Sequence, residues 1–169
     1  MNNLIPDNKY HRDTLSKIIP DPAILKKTLV DAFKDKKIVL VKGVYDLLHS
    51  GHYFSFINAK KYGDILIVAV SSDTAVTKRK GNERPIISEE DRLLMIAALS
   101  CVDWVTLYDQ DSPYELLKVL KPNVFTASHF DYLSKEQQEE LSKSIQFIIT
   151  PKLGGNSTTK IINKIKGIQ

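Results

Sequence analysis

From residue 37 onward, short runs of β-prone apolar residues alternate with longer amphipathic stretches. Ile38–Val41 and Ile65–Val70 are continuously apolar, which is typical of strands whose two faces are both covered. Three further runs of this kind are Trp104–Leu107, Val124–Ala127 and Ile145–Ile149. Strands separated by helices pair in parallel through right-handed crossovers. The chain is therefore predicted to be an α/β protein, with a doubly wound Rossmann-like sheet of about five parallel strands and helices on both faces.

A single domain is expected from the length of 169 residues. Residues 1–20 carry no clear period and are predicted to form a leading arm, followed by one domain over residues 21–169. Asp21 and Pro22 are residue types that open a helix, and apolar residues recur every four positions after them. A helix is therefore predicted over residues 22–34, packed on the flank of the sheet or on a second subunit.

The charge balance and the single cysteine limit the classes of partner and compartment. Lys and Arg number 24 and Asp and Glu 20, and the net charge of +4 is a mild bias toward anionic partners, which small phosphorylated molecules satisfy as well as nucleic acid would. A nucleic-acid partner is not expected, because no aromatic residues are interleaved with the basic run at 78–84. Cys101 alone forms no intramolecular disulfide, which suits a reducing cytosol. No apolar run is long enough to cross a bilayer, so we expect a cytoplasmic protein with no membrane partner.

The segment Gly43–His52, directly after the first predicted strand, carries the clearest chemical signal. Gly43 allows a tight turn and the close approach of a ligand to the backbone. His49 and His52 are three positions apart, so at a helix N-terminus both imidazoles would face one anion-sized volume. The alternatives are chance placement of the histidines on a surface turn, one buried and hydrogen-bonded histidine, and a metal site that also uses Asp46.

The segment Gly154–Lys160, after the last predicted strand, has the composition of a phosphate-binding turn. Two glycines expose backbone amides, and three hydroxyl residues then open a helix with Lys160 in its first turn. N–H donors, hydroxyls and a cation at the positive end of a helix dipole all suit a phosphate. The alternative is an ordinary serine or threonine cap after a glycine-rich turn.

A basic segment, Lys78–Pro85, lies between the second strand and a helix predicted to begin at Ser88. Such a run usually forms a solvated loop. Beside two phosphate-binding turns, its cations could instead hold a substrate phosphate, with Arg84 or Arg92 making bidentate contacts. No GxxxxGK[ST] stretch is present, so a P-loop NTPase is excluded.

These segments resemble the signatures of the cytidylyltransferase-like nucleotidyltransferase superfamily. Gly43–His52 is similar to its GxFDxxHxGH signature, with Tyr at the Phe position, and Asn156–Lys160 is similar to its hydroxyl-rich helix start. Arg84-Pro85 and Arg92-Leu93 resemble the R-P and R-L pairs of a third stretch. The resemblance covers roughly residues 36–166. It is closest to the adenylyltransferase domain of ADP-heptose synthases, and glycerol-3-phosphate cytidylyltransferases come next.

The resemblance implies a reaction in which an acceptor phosphate attacks the α-phosphorus of a nucleoside triphosphate and pyrophosphate leaves. ATP and a phosphorylated sugar such as a heptose 1-phosphate are the favoured substrates, and CTP with a polyol or amino-alcohol phosphate is the alternative. It also implies Mg²⁺, held mainly by the triphosphate rather than by the protein alone, and a homodimer. The residues it assigns to catalysis are Lys42, His49 and His52; to the nucleotide, Gly43, Val44, Tyr45, Asp46, Gly51, Arg92, Asn156, Ser157, Thr158 and Thr159; and to the acceptor phosphate, Lys78, Arg79 and Arg84. Lys42 and Lys78 are expected to hold either the acceptor phosphate or the α-phosphate.

One segment departs from the pattern of the heptose-type relatives. Where they carry Lys-Gly-Gly-Asp-Tyr, this chain reads Thr-Ala-Ser-His-Phe-Asp-Tyr over Thr126–Tyr132, without the glycine pair and with His129 added. The change affects the wall where the base or the acceptor would sit, so the resemblance leaves both open. It also motivates a second hypothesis, a nucleotide-binding module without catalysis.

Overall fold

A five-stranded parallel sheet forms the centre of the computed structural model, which describes residues 9–151 and 157–167, with side chains from residue 13 onward. Its strand order is β3-β2-β1-β4-β5, and each neighbouring pair is parallel. This confirms the predicted doubly wound α/β architecture. The strands are β1 (Ile38–Gly43), β2 (Ile65–Ser71), β3 (Trp104–Tyr108), β4 (Val124–Ala127) and β5 (Gln146–Ile149).

Helices connect the strands, and most begin at a side-chain cap. Asp21 accepts hydrogen bonds from two backbone amides at the start of α2, and Ser88, Ser134 and Ser157 cap later helices in the same way. None of the helices within the described ranges is long and apolar enough to cross a membrane. The helices are α1 (Lys9–Ser16), α2 (Pro22–Ala32), α3 (Ser50–Lys60), α4 (Asp73–Lys80), α5 (Glu89–Ala97), α6 (Tyr114–Leu120), α7 (Lys135–Ser142) and α8 (Thr158–Ile165).

The sheet separates two apolar cores, because successive strand residues point to opposite faces. On one face, Leu40 and Phe125 pack with Leu25 and Leu117, which belong to α2 and α6. Side chains of α3 and α5 cover the other face, where Phe56 packs against the strands. Helices therefore lie on both faces, as the uninterrupted apolar runs indicate.

Two segments differ from the sequence-based expectations. Residues 9–16, which lie in the predicted leading arm, form α1, and Ile18 pairs with Val105 beside β3. The basic segment expected as a loop begins inside α4, so Lys78 and its two neighbours are helical. Both helices are short and carry few apolar residues, so neither has the periodicity that identifies the longer helices.

The strand order reverses between β1 and β4, and this places the site. From β1 the chain builds outward through β2 to β3, and it then crosses to β4 and β5 on the other side. In open α/β sheets, ligands bind beyond the carboxyl ends of the strands at such a reversal. Gly43 ends β1 and Ala127 ends β4, so the segments that follow them border this crevice.

Candidate functional site

A cavity of about 460 Å³ opens at the carboxyl ends of β1 and β4. Its wall is formed by the end of β1 and the turn after it, the first turns of α3, the end of β4 with the loop after it, and the start of α8. The predicted site residues that line it are Lys42, Gly43, Val44, Tyr45, His49, Gly51, His52, Arg84, Ser157, Thr158 and Thr159.

Five predicted residues are not among those that line the cavity in the described part of the chain. Asp46, Lys78, Arg79 and Arg92 lie elsewhere in the structure. Asn156, together with the glycine pair at 154–155, lies outside the described residues.

His49 and His52 stack at the start of α3, with ring centroids 3.9 Å apart. His49 is the N-cap of this helix, and its Nδ1 accepts a hydrogen bond from the Gly51 amide at 3.1 Å. In a neutral imidazole only one nitrogen carries a proton, so Nε2 of His49 is the donor. This arrangement supports the expectation that both imidazoles face one volume.

His52 is held neutral by its surroundings. Burial lowers its pKa to about 4, and the positive charges of His49 and Lys80 add to the effect. Its ring packs edge-on against Tyr45, with centroids 5.2 Å apart. Its buried Nδ1 has no hydrogen-bond partner among the described residues. At neutral pH this side chain is therefore an uncharged hydrogen-bonding group.

The lowered pKa of His52 predicts a loss of stability in acid. Because the unfolded chain protonates this histidine first, the free energy of unfolding should decrease as pH falls from about 6.5 towards 4. Urea unfolding at a series of pH values measures this slope, and His52→Gln should make it shallower. The same slope in wild type and variant would contradict the assignment.

The turn after β1 depends on a close contact between a glycine and a ring. A Cβ added at Gly43 would lie 2.7 Å from the ring of Tyr45, so no larger residue fits beside this ring in its present position. Tyr45 has a φ of +56°, in the left-handed region, and its buried ring packs on Phe56. The signature tyrosine is thus part of the core that shapes the turn.

Asp46 is buried behind the cavity wall and holds one of the wall residues, Arg84, in place. One of its carboxylate oxygens accepts a hydrogen bond from Nε of Arg84 at 2.5 Å. The other accepts hydrogen bonds from the backbone amides of Ile86 and Ile87 at 2.7 and 2.9 Å. The carboxylate is 1% exposed and the arginine side chain 14%. Asp46 therefore fixes Arg84, which does line the cavity, instead of facing a ligand itself.

Arg92 is a structural residue in this fold, which corrects its predicted contact with the nucleotide. Its guanidinium is 1% exposed and donates hydrogen bonds to the carbonyls of Val44 and Ile87 and to the carboxylate of Asp73. These acceptors belong to three separate segments. The side chain has no exposed face to offer a phosphate.

Lys78 and Arg79, which were predicted to bind the acceptor phosphate, do not line the cavity. Lys78 is exposed and pairs with Asp111, at the outer surface. Arg79 donates to the Ser71 hydroxyl and to the Ala75 carbonyl. Of the three helical cations at positions 78–80, Lys80 lines the cavity. Each step along the helix turns the side chain by about 100°, so neighbouring residues point in different directions.

The start of α8 faces the same cavity as the two histidines. The Ser157 hydroxyl accepts a hydrogen bond from the Lys160 amide at 3.2 Å and so caps the helix. Thr158 and Thr159 follow in its first turn. Hydroxyls and a helix N-terminus therefore line the same cavity as His49 and His52.

Several wall residues are absent from the sequence-based assignment. One of them is Tyr132, whose ring centre lies 3.6 Å from Nζ of the predicted residue Lys42. Burial lowers the pKa of this lysine to about 8, and Arg79 adds to the shift. Tyr132 belongs to the segment that departs from the heptose-type pattern, and that departure was its only sequence signal. The unassigned wall residues include Ser55, Lys80, Thr126, Ser128, His129, Tyr132 and Thr150.

Four buried side-chain atoms in the described ranges have no hydrogen-bond partner, and all belong to cavity residues. Such atoms cost free energy unless a ligand or water satisfies them. Their clustering at one wall marks a polar binding site. The four atoms are Nδ1 of His52, Nη2 of Arg84, Oγ1 of Thr126 and the hydroxyl oxygen of Tyr132.

Comparison with known proteins gives one family and several relatives. Residues 40–164 match the model of the Cytidylyltransferase-like family. The bifunctional protein HldE of Helicobacter pylori (strain ATCC 700392 / 26695) is 41% identical over 147 residues, 86% of this chain and 31% of that protein. HldE of Sulfurimonas denitrificans is 42% identical over 148 residues, 83% of this chain and 30% of that protein. The chain thus spans about a third of the length of the curated relatives it matches.

Solved structures agree with the fold. The lipopolysaccharide core biosynthesis protein of Thermoplasma volcanium superposes with a TM-score of 0.61 at 28% identity, over 70% of this chain and 99% of that one. A pantoate-beta-alanine ligase of Francisella tularensis has a TM-score of 0.54 at 18% identity, over 89% and 78% of the two chains. The second likeness concerns the fold alone.

Proposed function

The chain belongs to the cytidylyltransferase-like family and is a nucleotidyltransferase, and on that premise we propose that it transfers AMP from ATP to a phosphorylated sugar of the heptose 1-phosphate type. The resemblance to ADP-heptose synthases and the similarity to HldE proteins support this choice of substrates. An oxygen of the acceptor phosphate forms a bond to the α-phosphorus. The bond from that phosphorus to the oxygen bridging the β-phosphate breaks, and pyrophosphate leaves.

One observation carries the proposal: the histidine pair and the hydroxyl-rich start of α8 line one cavity. Nucleotidyl transfer consists mostly of positioning and of stabilising charge on the phosphates. His49 donates from Nε2, and the uncharged His52 acts as a second hydrogen-bonding group at the transferring phosphate. Ser157, Thr158 and the amides of the first α8 turn hold the β- and γ-phosphates.

Lys80 and Arg84 add positive charge on the same side of the cavity. Arg84 is already fixed by Asp46, and its Nη2 has no partner in the described part of the chain. A guanidinium held in this way can donate to a phosphate without first losing conformational freedom. We assign both cations to the triphosphate.

Mg²⁺ completes the proposed site. The described residues contain no group of three or more His, Cys, Asp or Glu side chains that could hold a metal ion. A triphosphate with hydroxyl and cationic neighbours fits an ion that is held mainly by phosphate oxygens. When bound, the ion shares the negative charge of the phosphates, while the side chains above orient them.

The test is a matrix of the four nucleoside triphosphates against sugar, polyol and amino-alcohol phosphates, with pyrophosphate release as the readout. We expect the highest turnover with ATP and a sugar 1-phosphate. Preference for CTP with a polyol or amino-alcohol phosphate would replace the adenylyl assignment by the cytidylyl alternative. Nucleotide binding by calorimetry without turnover on any acceptor would identify a non-catalytic module.

We further propose a cytoplasmic homodimer without nucleic-acid or membrane partners. Ile149 on the edge strand is 67% exposed and Ile165 on α8 is 76% exposed, which supports an apolar contact between subunits. Light scattering should give twice the mass of the chain, and a monomeric mass would contradict the dimer.

A further inference from the structure

The sheet divides the wall of the cavity into two sides. Lys42 follows Leu40 by two positions, so its side chain lies on the face covered by α2 and α6, where Tyr132 also packs. Tyr45 belongs to the opposite core, beside α3, and packs against His52 there. Lys42 and Tyr132 therefore lie on the opposite side of the sheet from Tyr45 and His52.

Lys42 is a buried cation without an anion. Among the described residues it forms no ion pair and no hydrogen bond, and its contact is the face of the Tyr132 ring. A ring face attracts an ammonium group but does not neutralise it. Burial and the nearby Arg79 lower the pKa of Lys42 to about 8, because both disfavour the charged form of the amine.

Tyr132 contributes a hydroxyl to the same place. Its oxygen is buried and has no partner in the described part of the chain, although buried hydroxyls are usually hydrogen-bonded. Phe130 and His129 pack edge-on against the ring, with centroids 6.5 and 5.3 Å away, and they fix its position under the lysine. An ammonium and a donor hydroxyl thus border one volume next to the end of β1.

We propose that Lys42 and Tyr132 together bind the phosphate of the acceptor, with Lys42 as its cation and the Tyr132 hydroxyl as its hydrogen-bond donor. This inference rests on the proposed function and adds the side of the cavity from which the attacking oxygen comes. It takes the place of the predicted contacts of Lys78 and Arg79, which do not line the cavity.

The chemistry of the acceptor fits this pair. A phosphate monoester carries close to two negative charges near pH 7, so it supplies the anion that Lys42 lacks and accepts a hydrogen bond from the phenol hydroxyl. One of its oxygens remains free to attack the α-phosphorus, and no proton has to leave that oxygen. Lys42 also follows Val41, which pairs with Thr126 of β4, so the pair stands at the strand reversal beside the triphosphate side.

Two variants test the inference. Lys42→Met removes the charge and keeps most of the length, and Tyr132→Phe removes the hydroxyl and keeps the ring. Each should raise the KM for the sugar 1-phosphate by about 10- to 100-fold, the value of a hydrogen bond to a charged group. The dissociation constant for α,β-methylene-ATP should stay within about threefold of wild type, because the triphosphate side is unchanged. Lys61→Met and Tyr62→Phe, at exposed positions directly after α3, are the matched controls and should change neither value.

A second measurement does not need turnover. Inorganic phosphate is titrated into the protein saturated with α,β-methylene-ATP and Mg²⁺, and its dissociation constant is followed by phosphorus NMR. Lys42→Met should weaken phosphate binding about 10-fold or more, and Lys61→Met should leave it unchanged. Equal phosphate affinity in wild type and Lys42→Met overturns the subsite, whatever the turnover. If phosphate binding depends on Lys42 but no triphosphate and acceptor react, the proposed transferase function fails and the anion subsite stands.

Discussion

Replacing His52 by alanine should reduce kcat by about 100- to 1000-fold, the usual loss when one preorganised hydrogen-bonding group is removed from a site of developing charge. The imidazole is held by the stacked ring of His49 and by the edge contact with Tyr45, so it needs no reorganisation as the phosphate reacts. Because the interaction strengthens in the transition state, the KM for ATP should change much less than kcat. Initial rates of pyrophosphate release measure both constants.

Tyr53→Ala is the control for this variant. Tyr53 is the next residue of α3, but its side chain is 43% exposed and does not line the cavity. It should keep kcat within about twofold of wild type, in line with other exposed positions. A folded His52→Ala protein with full activity would remove His52 from the mechanism.

Replacing Asp46 by alanine should lower the free energy of unfolding by about 3–5 kcal/mol, because it leaves the buried guanidinium of Arg84 without its counterion. It also leaves the amides of Ile86 and Ile87 without their acceptor. Urea unfolding measures the loss. Activity should fall as well, because Arg84 loses the contact that holds it at the cavity.

Asp111→Ala is the matched control, since it also removes an aspartate from an ion pair. Its partner Lys78 is 70% exposed and Asp111 itself 53%. An exposed pair of this kind contributes at most about 1 kcal/mol. An equal loss of unfolding free energy in the two variants would show that burial does not make the Asp46 pair contribute more to stability than the exposed pair.

The sequence predicts the architecture well because the strands are buried on both faces. All five predicted strands are present, since a run such as Ile65–Val70 has no polar residue that would suit an exposed loop. The cap at Asp21 likewise starts the predicted helix. The turn after β1 and the start of α8 meet at the strand reversal, which follows from topology once the strands are known.

Side-chain direction is what the sequence leaves undetermined. The sequence does not distinguish Lys78, Arg79 and Lys80, which are three consecutive cations. The helical rotation of α4 brings only Lys80 to the cavity. Arg92 belongs to a motif, yet its guanidinium is used inside the fold. The pairing of Lys42 with Tyr132 joins residues ninety positions apart, and no local pattern predicts it.

The buried guanidinium of Arg92 joins three backbone regions that are far apart in the chain. It donates to Val44 in the turn after β1, to Ile87 before α5 and to Asp73 at the start of α4. Local opening of any one region exposes hydrogen bonds that the other two share, so the three should exchange their amide protons as one cooperative unit. We therefore expect these three segments to form one rigid block beside the cavity, in which none opens without the other two.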